Sequence, residues 1–148
     1  MMAERKNFMQ AVNKTIEGYL EPKPFESEAF YEKLGVRQFK KYMPTTGDWV
    51  TKNLWKWPDQ VNKSTSVGDF KKARQWMKTT ELMHSVGFYT VLILDGVVVG
   101  MGEIAPALVV GALNMVVNAY PIMVQRYNRL RINNILDKIE KRQTNLVK

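Results

Sequence analysis

Glu81 and His84, in the stretch "TTELMHSVGF", are the first residues of this chain whose types and spacing suit chemistry. A carboxylate one helical turn before an imidazole can orient the ring and keep it basic, as a general base requires. A lone Glu-x-x-His pair is also a common structural contact. A second cluster closes "NAYPIMVQRYNRLR", where an apolar run stops at Gln125, Arg126, Tyr127, Asn128, Arg129 and Arg131. Guanidinium groups placed there could mark a helix leaving a membrane, hold phosphate, or serve catalysis. The plainest of these is anchoring to lipid phosphates. Between the two clusters lie further polar groups in register. Glu81, His84, Ser85, Phe88 and Asp95 share one helical face, and Asn114, Asn118, Pro121 and Gln125 share another. Two such stripes on neighbouring helices would face each other. Asn114 and Asn118 are expected as interhelical contacts, each worth ~0.6–2 kcal/mol, and Asp95 is expected in a turn.

Composition narrows the chemistry. The chain has no cysteine, which excludes disulfides, thiolate metal sites and a cysteine nucleophile. His84 is the single histidine, so no multi-histidine metal site can form, and no metal is expected. The net charge of +8 across 148 residues favours an anionic partner, a phospholipid surface or a nucleic acid. That charge is segregated: Leu82 to Gln125 contains no Lys or Arg, and its acidic residues are Asp95 and Glu103. The opening "MMAERKNFMQ" has no continuous apolar core and does not read as a cleaved signal.

These residues need elements to position them. Residues 3–20 read as an amphipathic helix carrying Phe8, Val12, Ile16, Tyr19 and Leu20, ended by Pro22 and Pro24. A second helix is predicted from Ser27, a suitable N-cap, to about Met43, stopped by Pro44. A loop-like stretch follows, with Trp49, Trp55 and Trp57 beside lysines, a mixture suited to a headgroup layer or to a small soluble core. The "NKS" tract at Asn62 is discounted as a glycosylation site because no secretory signal precedes it. Leu82–Gln125 has room for two spans of ~20 residues joined by a turn near Gly102. Such a turn would bring Glu81 level with Arg126, and His84 level with Asn118–Gln125. Basic flanks and an acidic turn place both termini in the cytoplasm. A soluble competitor is a β-hairpin around Asp95-Gly96 in "TVLILDGVVVG", followed by one buried helix.

The expected architecture is therefore all-α, a membrane protein with a two-helix transmembrane hairpin preceded by amphipathic, interfacial helices. Residues 1–69 form the interfacial part, 70–131 the hairpin with its flanks, and 132–148 a basic helical tail.

Taken together, these residues resemble the small membrane family of glycosyl-4,4'-diaponeurosporenoate acyltransferases of carotenoid biosynthesis. The family pattern of Asn, Pro, an apolar run and Gln-Arg-Tyr-Asn-Arg-x-Arg is matched by Asn118, Pro121 and Gln125-Arg126-Tyr127-Asn128-Arg129-Leu130-Arg131. Its Glu-x-x-His corresponds to Glu81 and His84. Phe30, Tyr31, Val36, Arg37, Phe39, Lys40 and Pro44 match a further segment, so the likeness runs over roughly residues 25–131. Departures are the amphipathic N-terminal helix in place of an apolar span, Phe39 for tryptophan, Leu130 for proline, Pro121 one position away, and a longer segment between His84 and Asn118.

The resemblance implies transfer of a fatty acyl group to a sugar hydroxyl of a glycosylated isoprenoid, carotenoid or similar lipid. No cofactor is implied; the donor, such as acyl-CoA, is a co-substrate. His84, oriented by Glu81, would remove the hydroxyl proton without a covalent acyl-enzyme. Arg126, Arg129 and Arg131 would hold the donor's phosphates, and Asn118, Gln125, Tyr127 and Asn128 would bind sugar or stabilise the oxyanion. The implied partners are membrane lipid and a glycolipid or carotenoid-like substrate. One alternative is a non-catalytic small membrane subunit that packs on a larger complex and binds lipid or pigment. A soluble nucleic-acid-binding domain is disfavoured, because no recognition signature accompanies the charge.

Overall fold

Gly102, with φ +90°, is where the chain reverses. In the computed structural model, residues 2–42 and 67–146 are described; Pro44, the three tryptophans and Asn62 lie outside them. The elements are α1 (Met2–Leu20), α2 (Glu28–Lys33), α3 (Val36–Tyr42), α4 (Val67–Gly100), α5 (Ile104–Asn114), a π-helical turn (Met115–Ala119) and α6 (Tyr120–Leu146). No strand occurs among the described residues. The fold is all-α, and α4 with α5–α6 forms a two-helix hairpin.

The turn is tight. The Glu103 N–H returns to the Val98 carbonyl at 3.2 Å across Gly102, a Schellman-type closure that needs a residue at positive φ. α4 therefore runs unbroken through Asp95-Gly96, which overturns the β-hairpin alternative and the expectation of Asp95 in a turn. Asp95 instead lies on the helix with its carboxylate beside Gly111 of α5. The physical reason is that a helix satisfies every backbone N–H within its own segment, whereas an isolated hairpin in an apolar block leaves edges unpaired.

From Met83 to Gly100 the chain rises about 27 Å, and from Ile104 to Val124 about 31 Å, at 1.5 Å per residue. Both helices are long and apolar enough to cross a membrane. Their burial pattern is the inverse of a water-soluble core. Met83, Val86, Leu92, Ile93, Leu94, Val97, Leu108, Val109 and Leu113 are exposed, while Glu81, Ser85 and Asn114 are buried. Polar groups fill the seam between the helices and apolar groups cover the outside, the distribution a lipid solvent selects.

Helix ends follow local chemistry. Ser27 caps α2, its hydroxyl accepting from the Phe30 N–H at 3.1 Å. The single helix predicted from Ser27 to Met43 is broken at Gly35, whose φ of +75° interrupts the helix between α2 and α3. Tyr31 of α2 and Val36 of α3 then pack on Val124 and Tyr127 of α6. Below that, Phe70 of α4 packs on Ile132 and Leu136 of α6. α4 runs through residue 69 and α6 through residue 131 without a break, and the packing of α6 on α4 continues to Leu136 and Ile139.

Pro121 has no N–H for the Val117 carbonyl, and its ring would crowd that carbonyl in a regular α-helix. The chain widens just before it, with the Tyr120 N–H reaching the Met115 carbonyl in a π-helical turn that also carries Asn118.

Ile93, 70% exposed near the middle of the first span, gives a direct test of what solvent surrounds the hairpin. Ile93→Arg should cost ~2.5–3.5 kcal/mol of membrane insertion, measured as the inserted fraction in a translocation reporter assay. A loss below ~0.5 kcal/mol, usual for a water-exposed position, would refute lipid exposure.

Candidate active site

Glu81 sits where α4 leaves the apolar hairpin, and it is fully buried. A carboxylate stripped of water there costs several kcal/mol unless it is paired. α6 supplies two partners from one face, Arg126 and Arg129, three residues apart. Arg126 Nε donates to Glu81 Oε1 at 2.7 Å, and Arg129 Nη2 approaches Oε2 at 2.6 Å. The second approach is a charge contact off the hydrogen-bond direction. Glu81 Oε2 and Arg129 Nε and Nη2 consequently make no hydrogen bond.

Arg126 is held on every side. Its Nη1 donates to Glu26, its Nη2 donates to the Tyr19 carbonyl at 3.0 Å, and its guanidinium lies 5.0 Å from the Tyr19 ring centroid. Two carboxylates and two guanidiniums cancel formally, which is how a chain of this charge tolerates ions in its seam. Tyr31 completes the cluster. Burial, with the Glu26 carboxylate beside it, pushes its hydroxyl well above the ordinary tyrosine range, so it stays protonated.

One turn deeper, the polar stripes meet as a chain of side-chain amides. His84 Nδ1 lies 3.3 Å from Asn118 Oδ1. Asn118 Nδ2 donates to Asn114 Oδ1 at 2.8 Å, and Asn114 Nδ2 donates to the Phe88 carbonyl at 3.0 Å. Gly87 makes room for this chain, since a Cβ there would stand 3.1 Å from Asn118 Oδ1. Beside it Ser85 Oγ donates to the Glu81 carbonyl at 2.7 Å. With that proton committed, the Tyr19 hydroxyl is the donor in its 2.9 Å contact with Ser85.

The structure therefore brings Glu81 level with Arg126 and His84 level with Asn118, but it divides the predicted site differently. Glu81 does not orient His84; its oxygens face Arg126 and Arg129, and the imidazole's partner is Asn118. Arg126 and Arg129 turn inward, Arg126 to Glu81 and Glu26 and Arg129 to Glu81. Arg131 is exposed, its guanidinium 5.7 Å from the Tyr127 ring centroid. Tyr127 is buried, with its hydroxyl donating to Glu32 at 3.0 Å. Gln125 is buried and Asn128 half-buried on α6.

Sequence reading missed Tyr19, Glu26 and Glu32. Tyr19 carried a signal only as part of an apolar stripe. Glu26 and Glu32 carried one only as acids in a basic region.

A family model described as glycosyl-4,4'-diaponeurosporenoate acyltransferase matches residues 16–138. No curated protein and no solved structure matches the chain.

Removing one partner of the buried cluster should hurt more than removing a pair. Glu81→Gln strands the Arg129 charge and should lower stability by ~3–5 kcal/mol, read from denaturation in detergent micelles. Glu81→Leu combined with Arg129→Leu should cost less; a larger loss for the double variant would contradict the pairing.

Proposed function

Because the chain belongs to the glycosyl-4,4'-diaponeurosporenoate acyltransferase family, we propose that it transfers a fatty acyl group to a sugar hydroxyl of a glycosylated isoprenoid or similar membrane lipid, with His84 as general base. The observation that carries this reading is the half-buried imidazole held by Asn118 at the mouth of the hairpin. His84 is the single histidine of the chain, and an imidazole is the side chain most often used as a general base.

The Nε2 lone pair takes the proton of the acceptor hydroxyl as its oxygen attacks the carbonyl carbon of an acyl thioester. The tetrahedral intermediate collapses, the C–S bond breaks, and the imidazolium returns the proton to the departing thiolate. Arg131, exposed on α6, would meet the donor's phosphates through charge-assisted bonds. Arg126 and Arg129 act indirectly, by locking α6 against α4 through Glu81. The apolar exterior of the hairpin lets both lipid chains stay in the bilayer while the reacting groups gather at its base. Basic flanks and the acidic residue Glu103 in the turn orient that base, with both termini, to the cytoplasm.

Purified protein in liposomes with a glycosylated isoprenoid and a fatty acyl-CoA should form a sugar ester detectable by mass spectrometry. His84→Ala should lower turnover by ~10²–10⁴-fold; undiminished turnover would remove His84 from the mechanism. Arg131→Ala should raise the KM for acyl-CoA while leaving kcat unchanged, the pattern for a group that binds donor equally before and during reaction. An effect on kcat alone would argue against that role.

A further inference from the structure

We infer that Asn114 is a positioning residue: with Asn118 it forms a one-directional chain of amides, anchored on the Phe88 carbonyl, that holds neutral His84 as its Nδ1–H tautomer and leaves Nε2 as the base. This rests on the reading of His84 as general base and adds what sets that base.

The polarity follows from the far end of the chain. A backbone carbonyl can accept a hydrogen bond but has no proton to give. The group of Asn114 that faces the Phe88 oxygen, 3.0 Å away, must therefore be its NH₂. That turns Asn114 Oδ1 toward Asn118, so the atom of Asn118 at 2.8 Å must be its NH₂ in turn. Asn118 then presents Oδ1 to the imidazole, and an oxygen facing Nδ1 at 3.3 Å calls for a proton on that nitrogen. Reversing any member would set two acceptors or two donors against each other, in a seam where burial makes an unmatched polar group costly. One carbonyl on α4 thus sets the protonation of a ring nitrogen on the same helix, by way of two side chains on the opposite one. Free neutral histidine favours a proton on Nε2, so without the chain the proton would block the atom that must act as base.

Two features of the fold serve this chain. Gly87 leaves the space that Asn118 Oδ1 fills. Asn118 lies in the π-helical turn before Pro121, where widening of the helix sets its register against Asn114 and His84.

His84 is the single histidine, so protein labelled with ¹⁵N in the imidazole reports on it alone. Full-length protein in lipid nanodiscs, at a pH where the ring is neutral, should show a protonated Nδ1 and a bare Nε2. Asn114→Leu should shift the spectrum toward the Nε2–H form and lower kcat in the same proportion, with KM unchanged. Gly87→Ala is the second variant. Its methyl would stand 3.1 Å from the Asn118 oxygen and press it off its present position, while alanine suits a helix better than glycine, so the same spectral change is expected without loss of fold. A wild-type spectrum with the proton on Nε2, or spectra unmoved in both variants, overturns the proposal. Turnover that survives His84→Ala would instead sink the catalytic reading while the spectra still judged the tautomer.

Discussion

One buried carboxylate organises this protein. Glu81 has no access to water, so its charge must be answered from within, and the answer comes from Arg126 and Arg129 on the antiparallel helix. That requirement fixes the axial register of α4 against α6. It also reaches outward: Arg126 still has N–H groups to satisfy, and these recruit Glu26 and the Tyr19 carbonyl, tying α1 and the segment after it to the hairpin. A single desolvated ion thus ties α1 and the Glu26 segment to a hairpin whose own two arms also share an apolar cluster below it.

The same absence of water explains the rest of the seam. Asn114, Asn118 and His84 bond to one another because the apolar exterior of the hairpin has nothing to offer them. Pro121 widens α6's lead-in into a π-helical turn, and Gly87 clears a side chain's width opposite. Neither residue touches a reacting atom in the proposed chemistry, yet both control the geometry of residues that do. The polar seam divides into two levels: a charge-neutral clamp at the base, and a neutral hydrogen-bonded chain one turn deeper that ends on the imidazole.

That division changes what membership of the acyltransferase family means for the Gln-Arg-Tyr-Asn-Arg block. Much of it serves architecture. Arg126 and Arg129 close the clamp, and Tyr127 packs with Tyr31, Val36 and Val124 while its hydroxyl engages Glu32. A motif that looks like a ligand-binding string is, in part, the inner face of a helix, read at intervals of three and four.

Much of the architecture was legible without coordinates. The stretch without Lys or Arg, the turn chemistry near Gly102 and the two polar stripes implied a helical hairpin with its seam lined by polar groups, because helical periodicity and the length of an apolar run are local properties of a chain. The break at Gly35 and the continuation of α4 through Asp95-Gly96 were harder, since glycine signals a turn without saying whether its φ will be positive. What only the tertiary structure decided was which charge meets which. Arg126 bonds to Glu26 across 100 residues and to Tyr19 across 107, and no local pattern records such a meeting. Glu81 and His84 stand one turn apart and yet answer to different partners, because an ion out of water takes whichever opposite charge the packing brings nearest.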